Sequence, residues 1–391
     1  MTSGDLGVMV AWLLTYAAHS TVLLGGAWLL TRKRVQSQQA RDIIWKVALV
    51  GGLVSTSMQQ TIAREPLAGR FEIVAAERLG GWAVSETARA EATVSEVPAP
   101  ETPQADHQPL NRPTAQPPVT WSLNSIPWQA IAFWTWLVVA STLAVHFLLR
   151  WFGLSARFGR RDPVEDARVL ALVDGLRLEA GVRREIRVTQ APSLASPVAL
   201  GFSEICLPEA ALDDLDADQQ LSMLAHEVAH IARRDPLWLM ASCLLERVFF
   251  FQPLNHLARR RLQESAEYLC DDWAARRTGS GLTLAKCLVR VAEWIDTTPY
   301  PVPVSGMAET RSQFVSRIHR LIANHGLKNE PKRRWLLPFA VAMVGVVVAA
   351  APGAKAGPAT GWADERTSDS MPSTTDNAHA GEASSESVSS I

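Results

Sequence analysis

The stretch LAHEVAHIARRD at residues 224–235 contains an HExxH pattern that runs from His226 to His230. Residues four apart stand on one face of an α-helix, so both imidazoles can reach one metal ion, with Glu227 angled toward a water on its open side. The neighbouring residues are apolar, as in a helix packed in a core: Leu224, Ala225, Val228, Ala229 and Ile231. The stretch predicts a buried helix with a site for Zn2+, in which His226 and His230 are ligands and Glu227 is the general base.

The residues around the motif predict where its helix begins and ends. Asp216, with Gln219 three residues later, has the pattern of an N-terminal capping box. Asp235-Pro236 has the pattern of an N-cap followed by proline at the first helical position, so the motif helix ends near Arg234 and another helix begins. Capping is the favoured role of Asp235, and a hydrogen bond to a metal ligand is the alternative.

Two histidines and a water leave one position of a tetrahedral zinc ion for a third protein ligand. No HxxGxxH extension continues from His230, which excludes a metzincin site. Glu267 and Asp271 are four apart on a later helix, so Glu267 could ligate the metal while Asp271 accepts a hydrogen bond from a ligating histidine. The alternative is that both carboxylates are solvated partners of nearby arginines: Arg259, Arg260, Arg261, Arg276 and Arg277. Spacing alone does not choose between these interpretations.

Apolar segments elsewhere predict a membrane protein. Three segments without charged residues are long enough to span a bilayer: residues 8–30, 129–149 and 335–351. Residues 43–62 form a weaker fourth span, because Lys46 near its start would have to extend to the interface. The first segment is too long for the apolar part of a secretion signal, and its basic residues follow it rather than precede it.

Lysines and arginines cluster beside these segments in a way that indicates orientation. The clusters lie at residues 32–41, 150–161 and 328–334. The positive-inside rule then places the N-terminus outside a bacterial-type inner membrane, residues 151–334 in the cytoplasm and the C-terminal tail outside. All four cysteines fall in the cytoplasmic segment without CxxC spacing, as expected of ordinary buried thiols in a reducing compartment.

These observations give a predicted domain organisation. It consists of two transmembrane helices joined by a short cytoplasmic loop (1–62), an extracytoplasmic loop (63–125), a third span (126–150), a cytoplasmic zinc peptidase domain (151–334), a fourth span (335–352) and an extracytoplasmic tail (353–391). Residues 85–120 are rich in Pro, Ala, Glu and Thr, and the tail is rich in Ser, Thr, Ala and Gly. Both compositions predict disorder, since they offer little apolar surface to bury.

The cytoplasmic segment contains several predicted elements. Asp162-Pro163 suggests the start of a helix over 163–180, and the short runs 186–189, 198–202 and 204–207 suggest a small sheet. An apolar helix over 237–251 is too short to span easily, so a core or membrane-interface position is expected. A polar helix over 257–277 ends at Thr278-Gly279. The fold class is therefore an α+β membrane protein with about four transmembrane helices and a mainly helical domain that contains a small sheet.

The sequence resembles the integral-membrane M56 peptidases, the sensor-transducer proteases of the BlaR and MecR type. The resemblance rests on SPVALGF at 196–202, LPE at 207–209, the HEVAH with its RRD, and the ExxCDD that begins at Glu267. It implies a gluzincin-like zinc domain in which Glu267 is the third zinc ligand, while Asp271 orients a ligand without binding the zinc itself. It also implies that residues 197–202 form an edge strand that binds extended peptide, with an ordinary core strand as the alternative.

The resemblance implies regulated cleavage of a cytoplasmic protein, such as a transcriptional repressor, or of the chain itself. Membrane lipid is then a partner, and direct contact with nucleic acid is not expected. Residues 353–391 contain no SxxK, so a penicillin-binding sensor domain is not expected there. Several side chains are candidates to stabilise an oxyanion, without a signal that chooses among them: His256, Tyr268, Arg259, Arg260 and Arg261.

Two other functions stay open at this point. One is processing or quality control of membrane proteins, as in HtpX-like or CAAX-processing proteases. The other is a signalling scaffold in which the metal is structural and no bond is cut. A structural zinc normally has four protein ligands, often cysteines, and the cysteines here lie away from the motif. Two histidines within the predicted spans, His19 and His146, are expected to pack between helices, with a function as the alternative.

Overall fold

The computed structural model describes residues 3–33, 35, 37–62, 66–73, 128–157, 161–192, 194–297, 311–323 and 336–356. The predicted linker at 85–120 and the predicted tail beyond residue 356 lie outside the described residues. The described elements are mainly helical, with two small sheets.

The helices, in chain order, are α1 (Ser3–Lys33), α2 (Gln38–Thr61), α3 (Trp128–Arg157), α4 (Ala167–Glu179), α5 (Ala210–Asp213), α6 (Ala217–Arg233), α7 (Asp235–Val248), α8 (Pro253–Thr278), α9 (Gly281–Thr297), α10 (Arg311–Ile322) and α11 (Leu336–Ala350). The strands are β1 (Arg70–Ile73), β2 (Asp162–Pro163), β3 (Arg187–Gln190), β4 (Val198–Leu200), β5 (Glu204–Leu207) and β6 (Gly353–Ala356).

Helices α1, α2 and α11 pack against one another and against the first half of α8. Their shared core includes Leu24, Trp45, Leu49, Leu262 and Val347. Two glycines of α2 allow the close approach: a Cβ on Gly51 would lie 2.8 Å from Cγ2 of Val344, and one on Gly52 would lie 3.1 Å from Cβ of Ser20. Larger residues at these positions would separate the helices.

Two of the described helices are long and apolar enough to cross a membrane, Asp5–Lys33 and Trp128–Gly153. In α11 the apolar stretch is shorter, Val341–Ala350. Helix α2 falls short in hydropathy because it carries several polar side chains, and it buries four of them against protein: Asp42, Ser55, Thr56 and Gln59. Of the four expected spans, the described helices therefore support two by length and composition.

The residues that follow α11 depart from the predicted disorder. Residues 353–356 form β6, which pairs in parallel with β1. Gln59 Nε2 at the end of α2 donates to the carbonyl of Ala351 at 2.9 Å, and the backbone N–H of Ala354 donates to Thr15 Oγ1 at 2.9 Å. These hydrogen bonds order the start of the tail, which composition alone does not reveal.

Residues 161–323 contain the second sheet, with strand order β2-β3-β5-β4. Strands β3 and β5 are parallel, while β2 and β4 pair antiparallel with their neighbours, so β4 lies at one edge. The core beneath the sheet joins α4, β5 and α6, and its fully buried members include Val169, Ile205, Leu207, Leu224 and Val228. The predicted small sheet is thus present in the structure.

One predicted helix start is wrong. Asp162-Pro163 belongs to β2, and α4 begins at Ala167, where the side chain of Asp166 accepts from the backbone N–H of Arg168 at 2.8 Å. The Asp-Pro pair resembles an N-cap, but proline is equally compatible with a short edge strand. The structure uses the later aspartate as the cap.

Helices α7 and α8 form a hairpin that packs against α1 and α3. At its tip, Gln252 Nε2 donates to Ser20 Oγ at 2.7 Å, and Asn255 Nδ2 donates to the hydroxyl of Tyr16 at 3.1 Å. On the other side, the indole N–H of Trp136 donates to the carbonyl of Val248 at 3.0 Å. The apolar helix expected at a core or interface position therefore reaches the middle of α1 as one arm of a hairpin.

The capping box of α6 allows a test of the helix that carries the motif. Asp216 accepts from the N–H of Gln219 at 2.8 Å, and Gln219 Oε1 accepts from the N–H of Asp216 at 3.2 Å. We expect Asp216→Ala to lower the free energy of unfolding by about 1 kcal/mol. Chemical denaturation of the full chain in detergent, followed by fluorescence, measures the change. Asp218→Ala in the same turn is the control, and equal losses in both variants would contradict a capping role.

Candidate metal centre

Helix α6 carries His226, Glu227 and His230 at the wall of a cavity. Its N-terminus is held by the capping box, and its C-terminus closes at Arg234, a residue with φ of 60°. Helix α7 then begins directly at Asp235, whose side chain does not cap it. The predicted ends of the motif helix agree with the structure, whereas the predicted capping role of Asp235 is wrong.

The structure brings Glu267 of α8 to the two histidines of α6. The Nε2 atoms of His226 and His230 lie 3.1 Å apart, and the Glu267 carboxylate lies 3.4 Å from the first and 3.6 Å from the second. Three nitrogen or oxygen ligands about 2.0–2.1 Å from a tetrahedral ion stand roughly 3.3 Å from one another. The three side chains therefore have the spacing of ligands to one such ion.

Each histidine has a carboxylate at its other ring nitrogen. Asp271 Oδ1 lies 3.1 Å from Nδ1 of His226, and Asp235 Oδ2 lies 3.0 Å from Nδ1 of His230. A carboxylate at Nδ1 favours the tautomer that protonates this nitrogen and leaves Nε2 free to bind a metal. Asp271 lies at ion-pair distance from one candidate ligand, although the two groups are not aligned as a hydrogen bond, and Asp235 contacts the other candidate ligand instead of capping α7.

Arg317 of α10 is a member of the site that the sequence did not predict. Its guanidinium contacts Glu267 Oε2 at 3.0 Å and both oxygens of Asp271 at 2.8 Å, and the side chain is buried. A bidentate arginine is a strong and geometrically specific partner for a carboxylate. Arg317 is one of three arginines on α10, and no spacing in the sequence relates it to the motif.

The electrostatics of the site follow from these contacts. Burial alone would raise the pKa of Glu267, but the charges of Arg317 and the two histidines lower it to about 2. Burial alone would lower the pKa of His226, but its carboxylate partners Asp271 and Glu267 raise it to about 10. Without a metal ion, the carboxylates hold a proton on His226. The site is therefore built to hold positive charge.

A second cluster of potential ligands shares His230 with the first. It consists of His230, Asp235 and Cys270, and the thiol of Cys270 lies 3.5 Å from Asp235 Oδ2. Burial raises the pKa of Cys270, and the nearby Asp235 carboxylate adds to this effect. A thiol that stays protonated is a poor metal ligand, so the cluster with Glu267 is the better site. The other cysteines are also unpaired, with Cys206 and Cys287 buried and Cys243 partly buried.

The three motif residues face a cavity of about 1050 Å³. One wall is β4 with its flanking residues 196–204, at the edge of the sheet. Helices α9 and α10 contribute apolar side chains to the lining: Leu284, Leu288, Val291 and Phe314. The strand that the sequence assigned to either a peptide-binding edge or the core is an edge strand beside the candidate ligands.

The side chains that are candidates to stabilise an oxyanion differ in whether they line the cavity. Among the described residues that line the cavity, Arg259 is present, whereas His256 and Tyr268 are not. Arg259 is held by Glu246 through a 2.6 Å contact, and the same glutamate binds His256 at 3.0 Å. Arg317 also lines the cavity, as do Arg161, Arg184 and Arg187, so five guanidinium groups of the described residues lie in its wall.

His226 is buried and His230 is partly buried on one helix, and together with a glutamate from a second helix they can hold a metal ion at the wall of a cavity. A family model described as BlaR1 peptidase M56 matches residues 28–321, which is more than half of the 391-residue chain. The chain belongs to this peptidase family. The matched segment includes α2 and every element from α3 to the candidate ligands on α8.

A curated relative agrees with this assignment. The regulatory protein BlaR1 of Bacillus licheniformis is 27% identical over 110 residues, which is 28% of this chain. The aligned segment covers 18% of the length of that relative. Family membership and the two apolar helices together indicate a membrane-associated peptidase-family protein.

The contacts of Arg317 lead to a prediction about metal binding. We expect Arg317→Gln to weaken zinc binding by about 10- to 100-fold, because Glu267 and Asp271 lose the cation that orients both. Competition with a chromophoric chelator measures the affinity. Arg320→Gln is the matched control, since Arg320 lies on the same helix and binds Asp272 at 2.6 Å, away from the ligands. Equal affinities for the two variants would show that Arg317 does not orient the site.

Proposed function

We propose that this chain is a membrane-embedded zinc endopeptidase that cleaves a cytoplasmic protein. The observation that carries the proposal is the triangle of His226, His230 and Glu267, with Glu227 beside it in the wall of a peptide-sized cavity. The spacing suits a tetrahedral zinc ion with three protein ligands, which leaves the fourth position for water or substrate. An open position is typical of catalytic rather than structural zinc sites.

Each side chain then has a distinct role. Bound zinc would polarise the attacking water and the scissile carbonyl. Glu227 accepts a proton from that water and passes it to the leaving amine, so one carboxylate acts as base and then as acid. Asp271 and Asp235 hold the histidines in the ligating tautomer, and Arg317 orients Glu267.

The edge strand β4 supports binding of an extended peptide. It pairs with β5 on one side only, within the part of the chain that the structure describes, and its residues line the cavity. A substrate segment can add to such an edge through backbone hydrogen bonds, while its side chains enter pockets alternately. The apolar side chains of α9 favour a large apolar residue next to the scissile bond. The positive charge of Arg259 or Arg317 is available to stabilise the oxyanion.

We further propose four spans, with the peptidase domain facing the cytoplasm. Helices α1 and α3 are apolar along their length, and the basic clusters near residues 32–41, 150–161 and 328–334 favour this orientation. Helix α2 fits as a third member because four of its polar residues are buried against protein: Asp42, Ser55, Thr56 and Gln59. Helix α11 packs along α2 through Val344 and Val347 and is the fourth member.

The substrate is proposed to be a regulatory protein reachable from the cytoplasmic face, such as a repressor, or the chain itself. The word "regulatory" in the name of the Bacillus licheniformis relative supports a role in signalling. Cleavage of many membrane proteins, as in quality control, is the competing substrate class. A scaffold without cleavage is disfavoured because a structural zinc site has no need of a carboxylate such as Glu227, which lines the cavity beside the two candidate ligands.

The change Glu227→Gln tests the chemistry directly. We expect zinc affinity within about threefold of the wild type, because Glu227 is not a ligand, and a loss of cleavage of at least about 100-fold, because the base is absent. Zinc content of the purified full chain and hydrolysis of fluorescent casein in detergent measure the two quantities. Glu264→Gln on α8, whose carboxylate binds Arg261 at the surface, is the control. Undiminished cleavage by the Glu227 variant would contradict the proposed mechanism.

A comparison of cellular proteins between strains with the wild type and Glu227→Gln separates the substrate classes. One stabilised cytoplasmic regulator is expected for a signalling protease. Accumulation of many membrane proteins would favour quality control instead. An unchanged protein profile, together with an unchanged phenotype, would favour a scaffold.

A further inference from the structure

The start of α2 lies against the end of the motif helix, and charged residues meet at this junction. Asp42 of α2 is only 6% exposed and pairs with Lys46, one turn later, at 2.9 Å. The ammonium of Lys46 lies 5.1 Å from the ring centre of Trp238 on α7. Both charged residues line the cavity that contains the candidate ligands.

A chain of ionic contacts runs from this junction to one metal ligand. Asp42 Oδ1 lies 3.1 Å from Nη2 of Arg233, although the two groups are not aligned as a hydrogen bond. Arg233 Nε donates to Asp235 Oδ2 at 3.0 Å, and the same oxygen lies 3.0 Å from Nδ1 of His230. Only two side chains therefore separate Asp42 on α2 from an imidazole that faces the site.

The negative and positive charges along this chain are equal in number, and the loss of one of them changes the contacts of the others. Asp42 and Asp235 are the anions, while Lys46 and Arg233 are the cations. If Asp42 loses its charge, both cations are left with Asp235 as their anionic partner within this group. Arg233 then competes more strongly with His230 for the shared Oδ2 atom, and the imidazole loses the contact that orients it.

We infer that Asp42 is a positioning residue of the metal centre, acting on His230 through Arg233 and Asp235. This inference rests on the proposed zinc peptidase function. It assigns to a residue of α2 an effect on zinc affinity and ligand geometry. A residue that only joins α2 to α6 would affect stability and leave the folded site unchanged.

The test uses the full chain in detergent, with Zn2+ and Co2+ as probes. We expect Asp42→Asn to weaken zinc binding by about tenfold and Asp42→Glu, which keeps the charge, to restore most of the affinity. The visible absorption bands of the Co2+-loaded protein should shift in the Asn variant, because they report ligand geometry. Asp174→Asn is the control, since Asp174 forms an ion pair with Arg177 on the exposed face of α4. This control should match the wild type in both measurements.

A double variant keeps the inference testable if Asp42→Asn folds poorly. Asp42→Asn with Arg233→Gln removes one anion and one cation together, so Lys46 and Asp235 remain and the group keeps its net charge balance. We expect its zinc affinity to be no lower than that of Arg233→Gln alone, because the two residues act in one chain. Additive losses, or wild-type affinity and an unchanged Co2+ spectrum for folded Asp42→Asn, would overturn the inference. Failure of the proposed function is a different result: the wild type would bind no zinc, or its cleavage would not depend on Glu227.

Discussion

The buried contact of Arg317 with Glu267 and Asp271 is the constraint on which the site depends. Two carboxylates this close would repel each other in a medium that screens poorly, and the guanidinium offsets that repulsion. It also joins α10 to α8, so that α8 presents both carboxylates toward α6. The meeting of His226 with a glutamate from another helix is therefore a property of three packed helices. The HExxH motif supplies only the first of them.

This arrangement explains which parts of the site the sequence predicts. The motif and its capping box are local patterns, and the structure places them on one helix with the expected ends. Glu267 and Asp271 are four apart, which indicates a shared face but not what that face meets, and the resemblance was needed to relate them to the motif. Arg317 lies in a separate helix with no local signal. Asp235 followed a pattern typical of a cap, yet its carboxylate is drawn to Arg233 and His230 instead.

The apolar helices show the same division between local and tertiary information. Helices α1 and α3 are recognised from hydropathy alone, whereas α2 is ambiguous because it carries polar residues, four of which are buried against protein. The tip of the α7–α8 hairpin reaches Tyr16 and Ser20 because Gln252 and Asn255 supply matching hydrogen bonds. The prediction of disorder is wrong for residues 353–356. The side chain of Thr15 binds the backbone within this segment, and the side chain of Gln59 binds the backbone just before it. In each case a contact distant in sequence decides the outcome.

The formal charges that contact one another around the site leave one negative charge over. The contacts that link α2, α6, α7, α8 and α10 bring together four carboxylates: Asp42, Asp235, Glu267 and Asp271. Three cations pair with them: Lys46, Arg233 and Arg317. Uncompensated charge is costly where water is excluded. A proton on His226 compensates the remaining charge when no metal is bound, and a cation bound between the two imidazoles and Glu267 would compensate it in the proton's place.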